Sequence, residues 1–132
     1  MNNILLSYGV SALVLAVLDG VWLMLFMKSF YLKQLAHLFG TSFVALPAVL
    51  FYVTYPLGIA VLVVEPNLNS TWLQVLLRGA LLGFVAYGAY DFTNHATLRD
   101  WPTLVTVVDL AWGTYATAVA SVVTFFVVRY WV

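Results

Sequence analysis

The sequence predicts an all-α fold, an integral membrane four-helix bundle running up-down-up-down. Three observations predict it. Hydrophobic residues make up 64% of the chain and charged residues only 8%, where a soluble domain carries about 25% charged residues. A chain of 132 residues cannot hide so much apolar surface from water, because small folds leave much of their area exposed. The third observation is pattern: four long apolar runs, each near the roughly 20 residues a helix needs to cross a bilayer. Hydrocarbon offers no partner to a free backbone group, so each run must close its own hydrogen bonds as a helix. The runs are continuous rather than alternating, which argues against barrel strands. The whole of 1–132 reads as a single transmembrane domain.

The first helix is expected over about 4–27, with Asp19 its only charge and Lys28 and Lys33 ending it. No basic residue precedes it and no A-x-A cleavage site follows, so it reads as a retained helix rather than a signal peptide. The second, about 43–64, carries no charge, and Pro47 and Pro56 inside it are expected to kink it. Glu65-Pro66-Asn67, with Asn69 and Ser70, forms the turn into the third helix. That helix, about 73–94, has Arg78 near its start and Asp91 near its end. Arg99-Asp100-Trp101-Pro102 leads into the fourth, about 103–128, where Pro102 suits the first turn. Trp72, Trp101 and Trp131 lie near span ends, as an aromatic belt would. Gly79 and Gly83, Ala12 and Ala16, and Ala116, Ala120 and Thr124 have the spacing of helix-packing stripes. Lys28, Lys33 and Arg99 fall on the side of the first and third loops, Arg78 and Arg129 on the other, a slender vote for cytoplasmic loops.

The depth of the carboxylates is the most informative feature. Asp19 lies about 12 Å below the end of its span at 1.5 Å per residue, Asp91 about 5 Å and Asp109 about 9 Å. Up-and-down connectivity brings all three towards one leaflet. Asp91 and His95 are four residues apart, on one helix face. Asp19 and Trp22, and Asp109 and Trp112, repeat a D-x-x-W pattern that sets each indole beside its own carboxylate. Tyr87, Tyr90, Tyr52 and Tyr55 offer hydroxyls and ring faces, and Asn94, Arg99 and His37 stand at the loop end. These residues are expected to line a polar, aromatic-walled cavity opening to one membrane face. Arg99 is available to neutralise a carboxylate. An intramembrane Asp costs about 2.5–3.5 kcal/mol on insertion scales, so such residues face the bundle interior and need partners.

The segments LDGVWL (18–23), YGAYDFTNHATLRDWP (87–102) and VDLAWGT (108–114) resemble a bacterial family of small membrane proteins of unknown function. The resemblance covers most of the chain. It implies four membrane helices and a multi-pass protein of the bacterial inner membrane, and it brings no activity with it.

Several function classes drop out. Formal net charge is zero, with five basic and five acidic residues, so no basic patch for nucleic acid exists. There is no cysteine, and the two histidines lack metal-ligand spacing, so no metal site is expected. No cofactor is indicated. Nothing resembles a serine elbow, a phosphate loop or a dinucleotide fingerprint. Three classes stay open. One is binding or proton-coupled transport of a small amphipathic or cationic ligand, held by charge and ring faces; four helices are few for a transport path, so a homodimer is expected. Another is an enzyme acting on lipid, with Asp91, His95 and Asp109 as acid and base and Arg99 on a headgroup. The third is an accessory subunit held to its complex by the polar cluster.

Overall fold

The computed structural model describes residues 3–131; the end positions of the 1–132 domain lie outside the described residues. Within it stand four helices and no strand: α1 Asn3–Leu35, α2 Ala45–Asn67, α3 Trp72–Thr97 and α4 Thr103–Trp131. All four are long and apolar enough to cross a membrane. Large apolar side chains are exposed on every one, among them Leu5, Met24, Leu62, Leu81 and Phe126. Lipid is as apolar as these side chains, so outward exposure costs nothing there.

With no hydrophobic drive between helices in lipid, close backbone approach and interhelical hydrogen bonds hold the bundle. α4 is the central element, with eleven buried residues against five in α3 and four in α1. It packs against both α3 and α1. Towards α3, Gly83 lies against the carbonyl of Gly113 and against Thr117, and Gly79 lies against Ala118 and Ser121. Towards α1, the Thr124 and Ser11 hydroxyls hydrogen-bond at 3.1 Å. The buried residues of α1 are Ser7, Ser11, Leu15 and Asp19, one seam at strict four-residue steps. Ala16, expected on the packing stripe, is exposed. Leu15, Ile59, Val63, Val64, Val75, Ala120 and Phe125 form the apolar core. Nearby, Ser7 donates to Glu65 at 2.6 Å.

Local chemistry explains the breaks. Thr71 and Gln74 form a reciprocal capping box at the start of α3, satisfying two otherwise orphaned donors. After α3, Leu98 is extended and Asp100 takes a positive φ of 55°, a conformation Asp tolerates better than most residues. Pro47 falls in the first turn of α2, where its missing N–H costs nothing, rather than inside the helix. Pro56 is interior and buried, and the backbone beyond it widens into a π-turn over Ile59–Val64. Trp101 departs from the belt expectation: it is 7% exposed and donates to Thr106 at 3.0 Å.

α1 continues past Met27, where the drop in hydropathy sets the end of the span. Phe26 has φ −120° and ψ −8°, far from helical values of about −63° and −42°. A π-turn over Met27–Tyr31 follows. A straight helix would separate Trp22 and Tyr31 by about 13.5 Å along its axis and place them on opposite sides. The Tyr31 hydroxyl instead lies 3.0 Å from the Trp22 indole nitrogen. The end of α1 therefore bends back over the bundle.

Candidate carboxylate and aromatic cavity

The bend, together with the D-x-x-W spacing, builds the site. Residues three apart share a helix face, so Asp19 and Trp22 of α1 meet Asp109 and Trp112 of α4. The two indoles stack at 4.2 Å with planes 10° apart. Neither tryptophan serves its own carboxylate: Trp112 reaches Asp19 directly, and Trp22 reaches Asp109 through Tyr31 of its own helix. Trp112 Nε1 donates to Asp19 Oδ1 at 3.0 Å. Trp22 Nε1 donates to the Tyr31 hydroxyl, which donates to Asp109 Oδ1 at 2.6 Å. From α2, the Tyr52 hydroxyl donates to Asp19 Oδ2 at 2.9 Å. Both Asp19 oxygens are thus satisfied, as a carboxylate that is 6% exposed requires.

These groups surround a cavity of about 440 Å³. α1 contributes Asp19, Trp22, Leu23 and Tyr31; α2 Phe51 and Tyr52; α3 Ala86, Tyr87 and Tyr90; α4 Asp109 and Trp112. Seven of the eleven lining residues are aromatic, two are carboxylates and none is cationic. Below, the Tyr55 and Thr117 hydroxyls bond at 2.6 Å, and the Tyr55 ring meets Tyr87 edge-on at 6.1 Å. Gly113 makes room for the Tyr87 ring, which a Cβ there would strike.

Seven residues singled out in the sequence therefore stand around one cavity: Asp19, Trp22, Tyr52, Tyr87, Tyr90, Asp109 and Trp112. Six do not line it: His37, Tyr55, Asp91, Asn94, His95 and Arg99. Asp91 is fully buried, with the Asp109 carboxyl beside it and no donor on either of its oxygens. Two carboxylates have no hydrogen to share; a proton on one turns the contact into a hydrogen bond. His95 turns away from Asp91, its ring nitrogens 3.3 Å from Thr106 Oγ1 and 3.4 Å from Thr103 Oγ1. Asn94 lies on the same last turn of α3. Arg99 is exposed, and its backbone carbonyl meets His37 Nε2 at 3.2 Å, joining the third loop to the first. Its guanidinium is not among the groups lining the cavity. Tyr31 and Phe51 are lining residues that the pattern of charges did not single out. Tyr31 lies beyond Lys28, and Phe51 in a run without any charge.

Three or more His, Cys, Asp or Glu side chains placed to hold a metal ion do not occur among the described residues. No curated protein and no solved structure matches the chain. Residues 4–126 match the family described as "Predicted membrane protein (DUF2177)". With four membrane-length helices and a match over nearly its whole length, the chain belongs to this family of bacterial multi-pass membrane proteins of unknown function.

Proposed function

We propose that the protein binds a small organic cation in this cavity and moves it in exchange with protons. One observation carries the reading: two carboxylates face an aromatic-walled space whose lining holds no cationic side chain. A cation placed there gains charge attraction and ring-face attraction together, the latter worth about 2 kcal/mol when desolvated. The donors already on Asp19 and Asp109 are neutral tyrosine and tryptophan groups, so they hold the carboxylates in place without cancelling their charge. Asp91, buried against Asp109 without a donor, supplies a second carboxyl for a proton to occupy when the cation leaves. Intramembrane carboxylates of this kind serve proton relays in transporters. Catalysis on lipid has less support, because His95, the one imidazole near Asp91 in sequence, stands with Thr103 and Thr106 outside the cavity.

The stacked pair of Trp22 and Trp112 supplies the assay. Tetraethylammonium titrated into the purified protein in a neutral detergent should change tryptophan fluorescence saturably. Losing the 2 kcal/mol of ring attraction corresponds to a roughly 30-fold weakening, and Asp19→Asn or Asp109→Asn should cost at least that much. A response that never saturates, or that both variants leave unchanged, would remove the basis for the reading.

A further inference from the structure

We infer that the cavity is loaded sideways from the bilayer, and that its ligand is an amphiphile with a cationic amine head and a hydrocarbon tail. The inference rests on the cation-binding reading and adds the route and the ligand class. It replaces the mouth at the loop face that the sequence alone suggests.

The walls are closed on every side but one. Over the loop end, the bent part of α1 lays Tyr31 against Asp109, and His37 ties the first loop to the Arg99 carbonyl. Below, Tyr55 reaches across to Thr117 and Tyr87. Tyr52 joins α2 to α1, and Trp112 joins α4 to α1. Glycine contacts seal α3 against α4. The remaining pair is α2 and α3. They approach chiefly along Ile59–Val64, while the Ala45–Gly58 part of α2 has little contact with α3. The two helices diverge towards the loop end, and the lining residues beside that gap are exposed: Tyr52 at 36% and Tyr90 at 60%.

The gap lies between two spans, so it faces hydrocarbon rather than water. Phe51, Ala86 and Tyr90 bring no charge to its edges. A hydrophilic ion would have to cross lipid to reach it. An amphiphile already in the leaflet slides its head between the helices and leaves its chain in the cleft. The carboxylates lie about 9–12 Å below the loop side of their spans, so the head is drawn below the interface and the chain runs on towards the bilayer centre.

The test uses the full chain in phosphatidylcholine nanodiscs with two probes, tetramethylammonium and hexadecyltrimethylammonium, and hexadecanol as the neutral control. The long-chain cation should bind at least about tenfold tighter than tetramethylammonium, because its chain keeps it in the leaflet. Hexadecanol should not compete. A second measurement needs no variant. A long-chain amine with a diazirine in its chain should label peptides containing Phe51 and Tyr90, and excess hexadecyltrimethylammonium should suppress that labelling. Labelling spread evenly over all lipid-facing helices, or equal affinity for the two cations, overturns the sideways route and leaves the cation site standing. Failure of both cations to bind in an Asp19-dependent way overturns the cation site itself.

Discussion

Gly83→Ala is the sharpest probe of how the bundle is held. A Cβ at this position would overlap the Gly113 carbonyl oxygen and would lie 2.7 Å from Thr117 Oγ1 and 2.8 Å from the Gly113 carbonyl carbon. Two of these three atoms belong to the α4 backbone, so no rotamer change relieves the overlap, and the helices must separate. Overpacking costs typically 1–3 kcal/mol, and a backbone clash puts this site at about 3. Against that, Ala is better than Gly inside a helix by about 1 kcal/mol. The net expectation is a loss of about 2 kcal/mol. Gly79→Ala should lose less. Its nearest neighbours are Ser121 Oγ at 2.6 Å and Ser121 Cβ at 2.9 Å, with the Ala118 backbone at 3.1 Å, and a serine hydroxyl can turn aside. Gly9→Ala, with nothing within 4 Å, should gain up to about 1 kcal/mol from helix propensity alone. Unfolding in mixed detergent and SDS micelles, followed by tryptophan fluorescence, reads all three on one scale. If Gly83→Ala unfolds no earlier than the parent while Gly9→Ala gains as expected, close approach of α3 and α4 is not what holds them together.

Other substitutions test the polar network. Trp112→Phe keeps a ring for the stack and removes the donor to Asp19 Oδ1; a hydrogen bond to a charged group contributes about 1.5–3 kcal/mol, and a loss of that order should appear in the same unfolding assay. A cost below about 0.5 kcal/mol would mean that Asp19 finds another donor. Tyr31→Phe and Trp22→Phe break successive links to Asp109, so a double-mutant cycle should give a coupling of at least about 0.5 kcal/mol, and strict additivity would refute the chain of bonds. At a pH where both carboxyls are ionised, Asp91→Asn should stabilise the protein by about 1 kcal/mol, since the amide brings a donor to the Asp109 carboxyl where ionised Asp91 has none. An Asn variant destabilised at every pH would show that Asp91 carries a proton throughout.

The helix count and the inward-facing depth of Asp19 and Asp109 were legible because both follow from hydropathy and a fixed rise per residue. Partner choice was not. The D-x-x-W spacing places Trp22 on the face of Asp19, but the same spacing on α4 lets the indoles cross, and only the distance between the helices decides that. Asp91 and His95 share a face, yet Thr103 and Thr106 compete for the imidazole from the start of α4. Tyr31 was invisible for a different reason. The bend at Phe26 involves neither Gly nor Pro, the usual sequence signs of a break, and Lys28 marks an end to the apolar run that the helix ignores. The α1 seam at Ser7, Ser11, Leu15 and Asp19 replaced an alanine stripe because hydroxyls that find partners pack as closely as methyl groups do.

The long-range bonds of α1 also set a timetable. Asp19 takes its indole donor from a residue 93 positions later, and Ser11 pairs with one 113 positions later. At about 5–20 residues synthesised per second, Asp19 waits roughly 5–19 s for Trp112 to emerge. During that interval the first helix is in or near the membrane with a carboxylate that costs about 2.5–3.5 kcal/mol in hydrocarbon. Tyr52 of the second helix meets one of its oxygens earlier, and the ribosome delivers the partner of the other last. An unfinished chain is therefore chemically distinct from a finished one, bearing a half-met acid on its first span until the fourth helix arrives.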